Sequence, residues 1–462
     1  MLQNASVDKS CHNWYSIFGI IITEVIKLEK QILKLLCVIL SFIIVAVSIT
    51  FMRRNKPVNQ QILETETTAK ETTTAEITTD VEKTTEIETT TEIITQTETT
   101  TAKLPLYIHT PISANSGELG KLLSEVAEKY GAVGIQVATI KDGMVSSTAE
   151  YGWATIDEKP IESDTKIRIA SLSKTLVSMV TFKLIEEGKL NLDTDISEYL
   201  GVQVKHPDFP NIPITLRMLL THTSGLADKG YQESLEKIQE HLQKPESYEE
   251  KPGEKYRYNN YGFGLVGTIC ECATGKSLNR LAKDYFFNPM SVDASYMGGQ
   301  LNSDKVANIY NSKGEIGLAV EDIVDLKSDR TDPGKRMMLY SGGLISSASD
   351  FAKLLTLFVN GGMYGGVQFL SKESVELMQT PQLPNNSVQC MPMKKMAGLY
   401  NQDYMYYHTG SAYGVYSLYV YNPETKIGVV VITTGASNVR DRYGIYAVCG
   451  DIVDGIIKQN LL

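Results

Sequence analysis

The stretch Ser171-Leu172-Ser173-Lys174 places a hydroxyl and an amine three residues apart, where a strand-like run ends and a helical run begins. On a helix this spacing brings both side chains to one face, one turn apart. A serine hydroxyl is a weak nucleophile until a neighbouring base takes its proton, and a desolvated lysine can be that base. The stretch therefore indicates that Ser171 is a nucleophile and that Lys174 activates it.

The same Ser-x-x-Lys pattern also begins at Ser6, Ser163 and Ser234, and a single match is more typical of a helix cap with a surface lysine. Ser6 lies in the polar N-terminus, Ser163 precedes an alternating run, and Ser234 lies in a strongly charged stretch. The match at Ser171 is followed by a helix that we expect to stop at Gly188. That helix carries an apolar stripe formed by Leu172, Leu176, Val177, Val180 and Leu184.

A second motif, Tyr258-Asn259-Asn260, follows later in the chain. Tyr258 is the only one of the 25 tyrosines that is followed two residues later by an asparagine. A tyrosine hydroxyl can relay a proton, and the amide of Asn260 can orient a substrate amide or the lysine. The alternative is a core tyrosine packed with Tyr256 and Tyr261.

A third motif, His408-Thr409-Gly410, leads into the alternating run Val415–Tyr421 and then into a second apolar strand. We therefore expect it on a strand of a hairpin. The alternative for His408 is a solvated histidine at the end of that strand.

In this order the three motifs resemble those of the penicillin-recognising serine hydrolases. The match is closer to the branch that contains class C β-lactamases, D-alanyl-D-alanine carboxypeptidases and related esterases. The stretches Leu219–Leu226 and Ser341–Asp350 also resemble segments of that branch. The resemblance covers roughly residues 115–460 and is specific for the family rather than for a substrate.

The resemblance implies that Ser171, Lys174 and Tyr258 are catalytic and that an acyl-enzyme forms on the serine. It further implies an oxyanion hole made by the backbone N–H groups of Ser171 and Ser411. The substrate-binding residues that it implies are Asn260 for an amide, His408 and Thr409 for a carboxylate, and Gly410 and Ser411 on the same strand.

His408 departs from the lysine that is typical of class C β-lactamases and is more like the D,D-peptidase and esterase members. An unperturbed imidazole has a pKa of about 6.5. We therefore expect carboxylate recognition by His408 to weaken as the pH rises, unless a neighbour holds its proton.

The pattern of elements predicts an α+β fold, in which an antiparallel sheet is flanked by helices and carries an inserted, mainly helical lobe from about Thr175 to Met338. The turn Asp142-Gly143 predicts a hairpin near the start of the domain. The elements expected around the lobe are a helix at Gly117–Tyr130, strands at Ile135–Ile140, Ser146–Tyr151, Lys166–Ile169, Val415–Tyr421 and Ile427–Thr434, and a helix at Tyr443–Ile457.

The chain divides into residues 1–34, a cytoplasmic or interfacial segment, 35–52, a transmembrane anchor, 53–103, a linker, and 104–462, the hydrolase domain. Residues 35–52 are apolar over about the length that a spanning helix needs. A cleaved signal peptide ending at Ala46-Val47-Ser48 is the alternative, but the long polar segment before it favours an uncleaved anchor. Lysines and arginines flank both sides, so the extracytoplasmic placement of the domain follows from the expected chemistry alone.

Within the linker, residues 64–103 contain 18 Thr, nine Glu, one Asp and three Lys, which gives a net charge of −7. This composition cannot bury a core, so we expect a disordered tether. Residues 104–462 also carry a net charge of −7, which argues against a nucleic-acid partner. The six histidines are isolated, and Cys270 and Cys272 point in different directions on a helix, so we expect no metal, no cofactor and no essential disulfide.

These observations favour a membrane-anchored, penicillin-binding serine hydrolase that acts like a D-Ala-D-Ala carboxypeptidase on peptidoglycan stem peptides of the cell wall. A class C-like β-lactamase, an esterase or a D-amino-acid peptidase would use the same residues. A non-catalytic, penicillin-sensing or surface module is the alternative of another class.

Overall fold

The structure is a computed structural model that describes residues 117–329, 332–383 and 388–462. The predicted segments 1–34, 35–52 and 53–103 lie outside the described residues and stay predictions. Among the described residues, no helix has both the length and the apolar character needed to cross a membrane.

The strands of the described residues are, in chain order, β1 Gly134–Lys141, β2 Met144–Thr155, β3 Lys159–Pro160, β4 Ile167–Arg168, β5 Ile309–Tyr310, β6 Ile316–Leu318, β7 Ile345–Ser346, β8 Met363–Tyr364, β9 Val367–Gln368, β10 Lys394–Ala397, β11 Tyr404–Ala412, β12 Val415–Asn422 and β13 Ile427–Thr434. The α-helices are α1 Glu118–Tyr130, α2 Ser173–Glu186, α3 Ser197–Leu200, α4 Leu216–Leu220, α5 Leu235–Leu242, α6 Asn260–Thr274, α7 Leu278–Ala282, α8 Val320–Val324, α9 Met337–Gly342, α10 Ala348–Val359, α11 Lys372–Gln379 and α12 Ala447–Lys458.

A seven-stranded antiparallel sheet of order β10-β11-β12-β13-β1-β2-β3 is the framework of the domain. Its centre joins the two ends of the domain, because β1 pairs with β13 from Gly134 opposite Thr434 onward. The hairpin of β1 and β2 turns at Asp142 and Gly143, whose φ angles of 51° and 76° suit a tight turn. The predicted α+β fold is confirmed.

Helices cover both faces of the sheet. On one face α1 and α12 form a core with the sheet around Leu123, Val431 and Ile452. On the other face α10 and the helical lobe form the larger core. Within that core α2 is buried on almost every side rather than along one stripe, so a side chain that projects from α2 enters a desolvated interior.

The structure differs from the sequence prediction in several details. The last helix begins at Ala447 rather than at Tyr443, because the Asp441 carboxylate accepts from the N–H groups of Tyr443 and Ile445 and holds a turn there. The strand expected at Lys166–Ile169 is only β4, which pairs with β7. The mainly helical lobe also contains the two-stranded sheet β5-β6.

A buried ion pair fixes the segment that leads to Ser171. Lys166, directly before β4, donates to Asp350 in the first turn of α10 over 2.7 Å, and these side chains are 3% and 8% exposed. Burial alone would raise the pKa of Asp350, but Lys166 and then Lys353 hold it below its ordinary value. Removing one member of such a pair typically costs about 3–5 kcal/mol, so β4 is firmly held against α10.

Candidate active site

Ser171 lies in the 3₁₀ turn Ala170–Leu172, directly before α2 and not within its first turn. Ala170 has a φ of 52°, a conformation that is uncommon outside glycine. The turn is held by Ser173, whose hydroxyl donates to the Ala170 carbonyl over 2.6 Å and accepts from the N–H of Leu344 over 3.0 Å. The chain therefore presents Ser171 at a fixed bend between β4 and α2.

The Ser171 turn packs against the part of β11 that has no neighbouring strand on one side. β10 pairs with β11 only from Tyr404 to Tyr407, so the edge from His408 to Ala412 is open. Gly410 allows the close approach, because a Cβ there would lie 2.8 Å from the Ile169 carbonyl and 3.0 Å from the Ser171 nitrogen. Gly410 of the third motif is therefore required because the backbone of the first motif packs directly against it.

Lys174 is completely buried, and its Nζ has three polar partners. Nζ lies 3.2 Å from Ser171 Oγ, 2.8 Å from Asn260 Oδ1 and 2.6 Å from the carbonyl oxygen of Ser341 in α9. Its cation also lies 4.9 Å from the centre of the Tyr258 ring. The first two predicted motifs therefore come together at the Lys174 amine, which contacts both Ser171 and Asn260. Its third partner, Ser341, was not identified from the sequence.

The protonation state of Lys174 follows from this environment. Burial lowers its pKa to about 7, although the negative charge of Asp228 acts in the opposite direction. A neutral amine has two N–H donors and one lone pair. The Asn260 and Ser341 oxygens can only accept and take both N–H groups, so the lone pair is left for the hydroxyl of Ser171. This arrangement suits removal of the serine proton.

Tyr258 lies at the protein surface, with 39% of the residue exposed, and not in the core cluster that was the alternative. Its ring packs on His222 with 4.4 Å between centres. Burial of its hydroxyl raises the pKa of Tyr258, and a hydrogen bond with Ser171 only partly offsets that rise. The phenol therefore stays protonated at neutral pH and can donate a proton.

The Leu219–Leu226 stretch holds the Tyr258 segment in place. His222 has a φ of 59°, and its Nδ1 accepts from the N–H of Asn259 over 3.0 Å. The Asn259 side chain donates to the Leu226 carbonyl over 2.5 Å and caps α6 by accepting from Gly262. The role of this stretch is therefore structural, since it sets where Tyr258 and Asn260 project.

Asp228, which sequence reasoning missed, contacts the start of α6. Its carboxylate accepts from the N–H groups of Asn260 and Tyr261 and from the side-chain amide of Asn260, over 2.9, 2.8 and 3.0 Å. The signal available in the sequence was weak, because the residue lies 32 positions before Asn260. Asp228 reaches the start of α6 only because the loop after α4 folds back on that helix.

His408 is buried within β11 rather than solvated at a strand end, with 6% exposed. Burial, followed by the charge of Lys174, lowers its pKa to about 3, so the imidazole is neutral at physiological pH. Its Nδ1 lies 2.8 Å from the Thr409 carbonyl and must carry the proton, since a carbonyl only accepts. The expectation that a positive His408 binds a carboxylate and loses this ability as the pH rises is therefore wrong.

Lys394 in β10 is a second cation near His222 and His408, and sequence reasoning missed it. Its Nζ lies 5.4 Å from the centre of the Tyr256 ring, which contacts His222. Its charge also lowers the pKa of both His222 and His408. Burial lowers the pKa of Lys394, and no carboxylate opposes that shift in the part of the chain that the structure describes.

The remaining predicted site residues lie on the open edge of β11, where Thr409 is half-buried and Ser411 is exposed. In the described ranges, the cysteines at 270, 272, 390 and 449 are free thiols. No group of three or more His, Cys, Asp or Glu side chains there could hold a metal ion.

Comparison with protein families gives a match to the model described as Beta-lactamase over residues 119–448. Among curated proteins, the chain is 30% identical over 296 residues to the probable fimbrial assembly protein FimD, serogroup H1, of Dichelobacter nodosus, covering 55% of this chain and 71% of that protein. It is 27% identical over 289 residues to a putative D-alanyl-D-alanine carboxypeptidase of Escherichia coli O157:H7, covering 54% of this chain and 65% of that protein.

Solved structures share the fold. The octameric penicillin-binding protein homologue from Pyrococcus abyssi superposes with a TM-score of 0.59 at 23% identity, covering 75% of this chain and 77% of its own. A class C beta lactamase from Rhodobacter sphaeroides gives a TM-score of 0.57 at 19% identity, covering 74% of this chain and 99% of its own. At these identities the similarity is one of fold alone.

The protonation state of Lys174 predicts the pH dependence of Ser171 acylation. Because only a neutral amine can accept the serine proton and the pKa of Lys174 is about 7, the second-order rate constant for labelling by a fluorescent penicillin should rise with pH and level off above about pH 8. A His408→Gln variant should keep the midpoint of this rise, since the imidazole is already neutral there. A midpoint near 10, the ordinary lysine value, would contradict this assignment.

Proposed function

The chain belongs to the beta-lactamase family, whose model matches residues 119–448, and we propose that it is a serine hydrolase that acts like a D-Ala-D-Ala carboxypeptidase on cell-wall peptides through a Ser171 acyl-enzyme. The observation that carries the acyl-transfer proposal is the fully buried Lys174 amine, 3.2 Å from Ser171 Oγ. The likeness to a putative D-alanyl-D-alanine carboxypeptidase supports the choice of substrate class.

In the first half of the reaction, Lys174 accepts the proton of the Ser171 hydroxyl while Oγ attacks the substrate carbonyl carbon. The negative charge that develops on the carbonyl oxygen is stabilised by the backbone N–H groups of Ser171 and Ser411, as the family resemblance implies. Losing one such donor typically lowers the rate about 10²–10³-fold. Asn260, which contacts Lys174, holds the substrate amide beside the amine.

In the second half, the C–N bond of the substrate breaks and the leaving amine takes a proton from Tyr258, which is replenished from Lys174. The raised pKa of Tyr258 suits this role, because the group arrives as a phenol and not as a phenolate. Water, or another amine, then attacks the Ser171 ester and releases the acyl group, and the serine recovers its proton.

Loss of the nucleophile tests this proposal. Ser171→Ala in the full chain should abolish covalent labelling by fluorescent penicillin and lower hydrolysis of a diacyl-Lys-D-Ala-D-Ala peptide to background, because no other hydroxyl meets the Lys174 lone pair. Ser163→Ala is the matched control, since Ser163 also precedes a lysine by three residues but is exposed and lies outside the Ser171 turn. Labelling that survives in Ser171→Ala would mean that another residue is the nucleophile.

The same experiment separates the related activities when nitrocefin and p-nitrophenyl acetate are added as substrates. Fast turnover of the peptide with slow release of penicillin supports the carboxypeptidase. Fast turnover of nitrocefin indicates a β-lactamase, and turnover of the acetate alone indicates an esterase. A stable penicillin adduct with no turnover of any substrate indicates a sensing module.

The proposed peptide substrate ends in a carboxylate, and we propose that Lys394 provides the positive charge that His408 lacks. Lys394 is half-buried beside Tyr256, and burial lowers its pKa. A partly desolvated cation without a carboxylate partner in the described residues gains most when an anionic ligand arrives. Thr409, half-buried on the open edge of β11, would donate its hydroxyl to the same group.

Replacing Lys394 should therefore affect substrates according to their charge. Lys394→Met should raise KM for the D-Ala-D-Ala peptide about tenfold, the loss expected for one charge-assisted hydrogen bond, and leave the uncharged p-nitrophenyl acetate unchanged. Lys395→Met is the matched control, because that lysine lies over Tyr404 and Tyr406 instead. An equal change for both substrates would contradict a role in carboxylate binding.

The same proposal places the hydrolase domain outside the cell, tethered by the linker 53–103 to a single anchor at residues 35–52. This placement rests on the apolar length of residues 35–52 and on the acidic, Thr-rich composition of the linker. Peptidoglycan stem peptides lie outside the membrane, so the proposed substrate requires this placement.

Protease added to intact cells should remove the hydrolase domain and leave a membrane-bound N-terminal fragment, because a linker of this composition cannot bury a core and should be open to cleavage. An antibody against the last residues of the chain would follow this loss in fractionated cells, and a cytoplasmic marker protein should stay intact. Full protection of the domain in intact cells, with cleavage only after lysis, would overturn the placement.

A further inference from the structure

The Asp228 carboxylate lies on an exposed residue and accepts four hydrogen bonds from the protein. One oxygen, Oδ1, accepts from the N–H groups of Asn260 and Tyr261 and from the hydroxyl of Tyr231 over 2.8–2.9 Å. The other oxygen, Oδ2, accepts from the side-chain amide of Asn260 over 3.0 Å. Oδ1 therefore binds the backbone at the start of α6, and Oδ2 binds the side chain of Asn260.

This contact determines which end of the Asn260 amide faces Lys174. An ionised carboxylate can only accept, so it selects the NH₂ end of the amide. The oxygen of the amide must then point the other way, where it accepts from Lys174 over 2.8 Å. A rotation of the amide by 180° would place two donors against Lys174 and an oxygen against Asp228.

The orientation of the amide in turn directs the Lys174 lone pair. With Asn260 Oδ1 and the Ser341 carbonyl accepting its two N–H groups, the neutral amine has its lone pair left for Ser171. A rotated amide would donate to that lone pair instead and occupy the base.

We propose that Asp228 is a positioning residue that fixes the orientation of the Asn260 amide and thereby directs the lone pair of Lys174 toward Ser171. The inference rests on the proposed acyl-transfer function and deepens it. Asp228 itself touches neither Lys174 nor the nucleophile and acts through Asn260.

The titratable groups around Lys174 come from several elements. Tyr258 precedes α6, His222 follows α4 and His408 is in β11, and both histidines have strongly lowered pKa values and are neutral. Asp228 is the carboxylate that raises the pKa of Lys174 against the effect of burial. Loss of its charge and of the correct amide orientation should both lower that pKa.

Asp228→Asn is the decisive variant. The backbone N–H groups and Tyr231 select the oxygen of the new amide, so its NH₂ end faces the NH₂ end of Asn260 and favours the rotated form. The acylation rate constant with fluorescent penicillin should fall about 10- to 100-fold, the loss expected when a catalytic group is misdirected. Tyr231→Phe, which removes only the hydroxyl on Oδ1, should change it less than twofold.

A double-mutant cycle separates positioning from simple destabilisation. In an Asn260→Ala background, Asp228→Asn should have little further effect on the acylation rate above about pH 8, where Lys174 is neutral in every variant and the group that Asp228 positions is gone. Effects that multiply in the double variant would overturn the inference. Asp228→Ser leaves the Asn259 cap of α6 in place but is too short to hold the Asn260 amide, and should also slow acylation if the inference is correct.

A measurement that needs no acylation distinguishes failure of this inference from failure of the proposed function. In the full chain with ¹³Cε-labelled lysine, the Lys174 resonance is identified by its loss in Lys174→Met, and its midpoint is followed by NMR. Asp228→Asn should lower the midpoint by at least about half a pH unit, and by less in the Asn260→Ala background. Equal shifts in both backgrounds, or none, would overturn the inference, even if penicillin never labels Ser171.

Discussion

Removal of the Lys174 amine from water is the constraint on which the site depends. A charged amine with no counter-ion in contact is unstable in an interior, and burial accordingly brings its pKa to about 7. The helix that carries it must therefore be packed on nearly all sides, which explains why α2 is buried around its circumference. The same desolvation makes each of its three hydrogen bonds strongly directional, since no water can replace a missing partner.

The sheet provides the second requirement, a length of strand that is free on one side. β10 pairs with β11 no further than Tyr407, and the Ser171 turn packs on the sheet face beside the free edge that follows. An edge of this kind normally invites pairing with another chain. Gly410 lets the backbone of the Ser171 turn approach the face of β11 closely, so the free edge of the strand lies beside the serine.

The sequence predicted the fold and most of the groups in the site because both leave local signals. The hairpin around Asp142-Gly143, the helix after Ser171 and the paired strands at the C-terminus are each encoded within about twenty residues. The lysine and the tyrosine were identified from motifs, and the structure brings them together. Asp228 and Lys394 were not identified, because no local pattern distinguishes them from ordinary surface charges. Their partners are brought to them by segments that are distant in the sequence. The charge of His408 was misjudged for the same reason: its burial is set by neighbours that no local pattern records.

The pairing of β1 with β13 has a consequence for biosynthesis. The partners of the central strands are about 300 residues apart in the chain. At ~5–20 residues per second, the ribosome needs ~15–60 s to make the second after the first. Until then the hairpin of β1 and β2 leaves one edge of the apolar strand β1 without its partner, so the sheet closes only after nearly the whole domain has been translated. Premature termination before Ile427 leaves a product without β13, the central strand of the seven-stranded sheet.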